Sequence, residues 1–330
     1  ARGLDVLVVE AGGRRAAHAL NTLDGTDITD QLSHARPELT SCSALGGTSH
    51  WWGGRSVPLD PLDFEDRSGI GSPGWPVYYK DLLPWWQDAA NFLGSPLIES
   101  DAPGAFAQLA NHDASRSESW GAQLNMARLH DARLSAAGGP AILLESQAVC
   151  LERDGARISG VRLRRRGQML LGRAQHVILA CGGVGVLRLL LNFARSQPGL
   201  MQGEAHLGRG YMGHLTGSIA DLVPMCTADV SAFGCLPAAG GAVTRRRVVP
   251  HAQVLRDNGL FNIAYWLDNP PIGDPAHASG ELSAKHIVLS QAFFGRRLAS
   301  DGLRALALRG AQRPLRPHVR NVLRHPVQAT

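Results

Sequence analysis

Leu4-Asp5-Val6-Leu7-Val8-Val9-Glu10-Ala11-Gly12-Gly13 is the stretch on which the fold turns. An apolar run rich in β-branched valine, closing on an acid and paired glycines, reads as a buried parallel strand and the turn after it. Ala1-Arg2-Gly3 before it reads as a helix end with a glycine stop. A carboxylate at the carboxyl end of such a strand can accept two hydrogen bonds from vicinal ribose hydroxyls, and glycines let the backbone pass close to an adenosine. Glu10, Ala11 and Gly12 are therefore the first candidate site, for the ribose end of a dinucleotide. In a dinucleotide-binding βαβ unit a Gly-rich turn precedes this acid by about 20 residues. No such turn stands before Glu10, so the stretch reads as the middle of the unit, and the chain is expected to be cut at its N-terminus.

The 330 residues are 44% hydrophobic and 18% charged, without a long low-complexity tract, which predicts a globular chain of roughly two domains. The longest apolar stretch, Val177 to Leu187, is too short and too glycine-rich to span a bilayer. The formal charge of +5 does not point to nucleic acid, because Lys80 and Lys285 are the only lysines. The runs Arg164-Arg165-Arg166 and Arg245-Arg246-Arg247 lack interleaved aromatics and are expected to be solvated edges. Cys42, Cys150, Cys181, Cys226 and Cys235 include no Cys-x-x-Cys pair, so buried thiols in a reducing, cytoplasmic setting are expected, with no metal site.

Strands are predicted over 4–10, Ile142 to Glu152, Ile158 to Arg164, Gln168 to Leu171 and His176 to Ala180, with a turn at Asp154-Gly155. Val184 to Phe193 has the apolar density of a buried helix. Between them lies an insertion carrying Trp75, Tyr78, Tyr79, Trp85, Trp86 and Trp120, with an amphipathic helix expected from Lys80 to Phe92. Ser218 to Val223 and Leu260 to Leu267 look strand-like, and 284–295 and 316–324 look helical.

Two further segments carry chemistry. Leu45-Gly46-Gly47-Thr48-Ser49-His50-Trp51-Trp52-Gly53-Gly54 sets four glycines among small hydroxyl residues, which suits backbone N–H groups facing a pyrophosphate or an electron-rich ring edge, with tryptophans as flat walls. Its bland alternative is a glycine-rich surface loop over a core tryptophan pair. Val177-Ile178-Leu179-Ala180-Cys181-Gly182-Gly183 runs from a strand through small residues into a helix, placing helix N–H groups beside whatever lies over the sheet edge. Taken alone, that pattern is also common in plain α/β cores.

In this order along the chain, Glu10, the Gly46 to Gly54 loop with Asp60-Pro61-Leu62-Asp63-Phe64, Gly74-Trp75-Pro76, the Ala180 to Asn192 segment, Leu207-Gly208-Arg209-Gly210-Tyr211-Met212-Gly213-His214 and Trp266-Leu267-Asp268-Asn269-Pro270-Pro271 resemble the glucose-methanol-choline oxidoreductase family of FAD-dependent enzymes. The resemblance implies an α/β fold, with a Rossmann-like FAD-binding domain assembled from residues 1–62 and 126–214. Residues 63–125 would be an inserted helical and aromatic segment, and 215–330 an incomplete α+β substrate domain. It implies that Glu10, with Ala11 and Gly12, holds the adenosine ribose, and that Gly46, Gly47, Thr48, Ser49 and Trp52 line pyrophosphate and isoalloxazine. Ala148 would meet adenine through its backbone, and Ala180, Cys181 and Gly182 would stand where the cofactor crosses the sheet edge. The activity implied is oxidation of a CH–OH group in an alcohol or sugar-like substrate, with hydride passing to flavin N5 and then to an electron acceptor that the sequence does not identify.

Two departures qualify what the resemblance implies. Relatives that tether flavin covalently use a histidine one position beyond His50, where this chain has Trp51, so noncovalent FAD is expected. The family's proton-accepting histidine lies near the C-terminus, and nothing from Asn321 to Thr330 matches that stretch. His318 and His325 are expected to be surface residues of a terminal helix, no catalytic residue is assigned, and the chain is expected to be cut at this end as well. The rival reading is a catalytically incomplete flavin-binding or partner-binding remnant; a nicotinamide-dependent reductase would share the opening strand but leave the Gly46 to Gly54 loop unexplained.

Overall fold

Leu7–Val9 forms β1, a shorter strand than the 4–10 run predicted, and β1 pairs in parallel with Ala141–Leu143, setting Leu7 against Ala141 and Val9 against Leu143. The pairing is parallel, as read from the opening stretch, but the strand is not buried: Leu7 is 53% exposed, and Val8 and Val9 are half-buried. The computed structural model describes residues 3–16, 28–30, 40–97, 110–197, 206–217, 219–220, 232–268, 272–273, 275, 279–290 and 315–324. By its contacts the chain divides into two units, Ala1–Tyr265 and Trp266–Thr330.

In chain order, the described strands after β1 are β2 (Arg55–Ser56), β3 (His112–Asp113), β4 (Ser117–Trp120), β5 (Ala141–Leu143), β6 (Ser146–Asp154), β7 (Arg157–Arg165), β8 (Gln168–Arg173), β9 (Cys235–Pro237), β10 (Val243–Arg246) and β11 (Val249–Pro250). They form four small sheets, ordered β1-β5, β2-β4-β10-β9, β11-β3 and β6-β7-β8. Helix and sheet are mixed, as an α/β reading expects, and among the described residues the β1-β5 ladder is the parallel one.

The strand predicted over Ile142 to Glu152 is two strands. Glu145 has a φ of 54°, outside the range of extended backbone, and this turns the chain from the parallel pair into the antiparallel meander of β6, β7 and β8. Downstream, the Gly182–Ser196 helix packs on β6 and buries Leu189, Phe193 and Ala194, spaced to fall on one helical face. Leu151 of β6 and Leu163 of β7 are also buried. Each such leucine or phenylalanine contributes roughly 1.5–3 kcal/mol.

Several expectations are corrected. His176 to Ala180 joins no strand ladder, and Ile178 is 88% exposed, because no described strand lies alongside to take its backbone hydrogen bonds. The Lys80 to Phe92 helix is interrupted: Tyr79–Leu82 and Trp86–Leu93 are α-helical, and Pro84, which cannot donate, sits in the 3-10 turn Leu83–Trp85 between them. Leu260 to Leu267 is irregular apart from a bridge between Tyr265 and Val248. Of the predicted strand from Ser218 to Val223, only Ile219 and Ala220 lie among the described residues, and they form no strand.

The run Arg245-Arg246-Arg247 is half-buried, not a solvated edge. Pairing of β10 with β4 sets Arg245 opposite Glu118, which is 2% exposed and accepts from Arg245 Nε at 2.7 Å. Arg55 of β2 approaches the same carboxylate at 3.4 Å, and both guanidiniums lie over the Trp120 ring. The described cysteines are not buried either: Cys42 and Cys150 are half-buried, and Cys181 and Cys235 are exposed, at a helix mouth and on an edge strand. All four are free thiols, and Cys226 lies outside the described residues.

In the second unit the Gly280–Ser290 and Arg316–Arg324 helices pack together. The second matches its predicted range; the first begins before 284, and 291–295 lie outside the described residues. His318, expected at the surface, is fully buried. It stacks on the equally buried His286 with ring centroids 4.1 Å apart, its Nδ1 meets Ser283 Oγ at 3.1 Å, and its Nε2 lies 3.3 Å from the Gly273 carbonyl. A contact made across 32 positions of sequence, with a helix of weak local pattern, is what hid this burial. His325 lies outside the described residues.

Candidate functional site

Glu10 follows the last residue of β1, and its backbone continues the parallel pairing: its N–H donates to the Leu143 carbonyl and its carbonyl accepts from Ser146 N–H, both at 2.9 Å. This second bond fixes the start of β6, on which Ala148 lies two residues further along. Glu10 Oε1 accepts the Gly12 N–H at 2.7 Å, so the carboxylate caps its own turn. Burial pushes the Glu10 carboxyl above its ordinary range; the Gly12 and Ala11 N–H groups and the charge of His50 pull it back, without cancelling the rise.

The turn after Glu10 is stitched to the glycine loop. Gly13 bridges Ala44 in parallel, and its carbonyl accepts Leu45 N–H at 2.9 Å. A Cβ at Gly12 would stand 1.8 Å from the Ser43 carbonyl oxygen, so only glycine fits where the two backbones meet.

The loop is a tight turn. Gly47–His50 is a 3-10 helix entered through Gly46 at a φ of 100°. Gly47 N–H donates to the Ala44 carbonyl at 2.7 Å, and the Trp51 and Trp52 N–H groups both donate to the Thr48 carbonyl at 2.9 Å. His50 Nε2 lies 3.0 Å from the Leu45 carbonyl, so that nitrogen carries the proton. Trp52 Nε1 donates to the Leu124 carbonyl at 2.7 Å, Ser49 is bonded on both sides, and Thr48 and Gly53 are exposed.

Cys181 and Gly182 open the long helix, and Ala180, Cys181 and Gly182 are all exposed. Desolvation raises the Cys181 thiol, and the nearby charge of Glu10 adds to that rise; Cys42, just before the loop, is raised by the same two causes. The charge of Glu10 thus reaches His50 in the loop, Cys42 before it and Cys181 at the helix mouth. The turn after Glu10 is joined to the glycine loop through Gly13, and β6, carrying Ala148, is tied to the Glu10 backbone; the helix mouth is linked to Glu10 through the effect of its charge on the Cys181 thiol. Leu207 to His214 is largely exposed, with Tyr211 72% and Met212 91% accessible.

Sequence reasoning missed the brace under the loop, residues 118–127. Its one legible local signal is Asn125, whose side chain caps the Met126–Leu129 helix. Among the described residues no cluster of three or more metal-ligating side chains occurs, and no helix is long and apolar enough to cross a membrane.

No protein-family model matches the chain, and no curated protein matches it. Among solved structures it is similar to an FAD-dependent oxidoreductase from Chaetomium thermophilum, solved in complex with a butanamide fragment, at 16% identity and a TM-score of 0.38. The match covers 57% of this chain and 43% of that one, so the chain spans less than half the length of the structure it matches.

Proposed function

We propose that this chain carries the FAD-binding region of an oxidoreductase that acts on a CH–OH group of an alcohol or sugar-like substrate. The observation that supports it is the convergence on Glu10: a carboxylate at the end of a parallel strand, joined through Gly13 to the glycine loop and in electrostatic reach of the mouth of the Gly182–Ser196 helix. These residues fit a dinucleotide. Glu10 offers an anionic acceptor to two ribose hydroxyls, and Gly13 beside it, where a Cβ would meet nothing within 4 Å, leaves no side chain in the way of an adenosine.

In this reading Glu10, Ala11 and Gly12 hold the ribose, Ala148 offers backbone to adenine, and Gly46, Gly47 and Thr48 face the diphosphate side, with Trp52 behind them. Ala180, Cys181 and Gly182 are where the cofactor crosses the sheet edge. FAD, bound without a covalent tether, supplies the hydride acceptor, and the chain's own residues position it. Cys181 stays a neutral thiol there, because desolvation and the Glu10 charge both raise it. The Rossmann-like architecture, the substrate class and an intracellular setting belong to this same proposal.

The test is a fluorescence titration of the protein as its gene encodes it with FAD, with NAD as competitor. Saturable quenching of flavin emission that NAD does not reverse is expected. Equal displacement by NAD would transfer the site to a nicotinamide enzyme, and a folded protein that binds neither would end the dinucleotide reading.

A further inference from the structure

Four observations meet at the glycine loop, and none involves a ligand. Ser49 Oγ donates its proton to the Gly46 carbonyl at 2.5 Å and accepts the Met126 N–H at 3.0 Å. Trp52 Nε1 donates to the Leu124 carbonyl at 2.7 Å. Gly46, at a φ of 100°, lies against Ala127, where a Cβ would come within 3.0 Å of the alanine methyl. Asn125 Oδ1 accepts the Arg128 N–H at 3.1 Å, so Asn125 and Ser49 together satisfy two of the N–H groups that a helix start leaves without partners. The loop and its brace are separated by 77 residues of sequence at the Ser49 contact, and the loop is seated on the brace at both ends of its 3-10 turn.

We infer that Ser49 is a positioning residue: it pins the glycine loop to the start of the Met126–Leu129 helix and sets the loop's conformation before any ligand arrives. A serine hydroxyl has one proton to give. Here that proton is committed to Gly46, so Ser49 does not donate to a diphosphate or flavin oxygen while the pin is closed. This changes the role that the family resemblance implied for it, from lining the cofactor to shaping the loop that does. The inference rests on the proposed function only for what the loop is shaped to hold; the pin itself belongs to the ligand-free protein.

Removing the hydroxyl leaves Met126 N–H and the Gly46 carbonyl without this partner, while threonine keeps it. Amide hydrogen exchange, read by mass spectrometry on peptides covering 45–54 and 124–130, compares ligand-free wild type with Ser49→Ala, Ser49→Thr and Ser49→Cys. In Ser49→Ala both peptides are expected to exchange about fivefold faster or more, the gain expected from losing one net hydrogen bond, with Ser49→Thr restored to wild type. Stopped-flow mixing with FAD then shows slower association in Ser49→Ala and unchanged dissociation. Wild-type exchange in Ser49→Ala, no rescue by threonine, or a defect confined to faster FAD dissociation overturns the inference, the last by making Ser49 a direct contact. Should Ser49→Ala fail to fold, the exchange comparison is made on Ser49→Cys, a weaker donor of similar size, with the same two outcomes. If wild type binds no FAD, the exchange arm still decides the pin, and the failure falls on the proposed function alone.

Discussion

Glu10→Gln separates what the carboxylate does for a ligand from what it costs the fold. The charge sits in a partly buried turn, and burial raises its carboxyl above the ordinary range despite N–H donors from Gly12 and Ala11. A carboxyl raised in the folded state contributes stability that is fully present below its unfolded pKa, near 4.3, and lost as pH rises through the higher folded value. At neutral pH the ionised Glu10 is therefore a liability to the ligand-free protein. Glutamine keeps an oxygen for Gly12 N–H and removes the charge, so the variant is expected to melt higher than wild type at pH 7, with the gain shrinking towards pH 4. Its effect on binding has the opposite sign. Hydrogen bonds to a charged acceptor are worth about 1.5–3 kcal/mol, so losing the charge weakens FAD binding by roughly 10- to 150-fold. Differential scanning fluorimetry across pH and a flavin titration at neutral pH read the two effects on the same samples. Unchanged FAD affinity would rule out a ribose contact at Glu10, and a lower melting temperature at pH 7 would show that its charge does not burden the fold.

Gly12→Ala drives a Cβ into the Ser43 carbonyl and is expected to cost about 2 kcal/mol or more and to separate the turn from the glycine loop, as read by urea unfolding. Glu118→Ala leaves Arg245, only 11% exposed, facing a vacated partner and should lose about 3–5 kcal/mol in the same assay, whereas a neutral result would show that the ion pair carries no stability. His318→Leu removes one of the two partners of the buried Ser283 hydroxyl, which keeps the Asn321 amide as donor, and removes the imidazole from the Gly273 carbonyl; the second unit is expected to lose about 1–3 kcal/mol, followed by helical circular dichroism.

What the sequence made legible was local. The apolar run ending at Glu10, the glycines after it, the meander around Asp154-Gly155, the helix from Gly182 and the helix at 316–324 all carry their signal within a dozen residues, and the structure contains each of them. The failures are long-range or depend on a single backbone angle. Glu145 adopts a positive φ that no pattern around it announces, and one predicted strand becomes two. Arg245 to Arg247 spell a solvated edge until β10 meets β4 and supplies Glu118 from 127 residues away. His318 looks like a surface residue of a polar helix until His286 is stacked on it. His176 to Ala180 has the composition of a buried strand, but composition does not supply a neighbouring ladder. For the candidate site, the acid and the glycine loop could be read from residue type, while the brace at 118–127 could not, because its grip on the loop is made by main-chain groups of Leu124 and Met126 that carry no sequence signature.

Whether the Glu10 turn holds the ribose of FAD is decided by a crystal structure of the protein grown with FAD. The adenosine ribose hydroxyls are expected about 2.5–3.0 Å from the Glu10 carboxylate oxygens, with the diphosphate against the Gly46 to Thr48 turn. A flavin bound with its ribose away from Glu10 would contradict this placement.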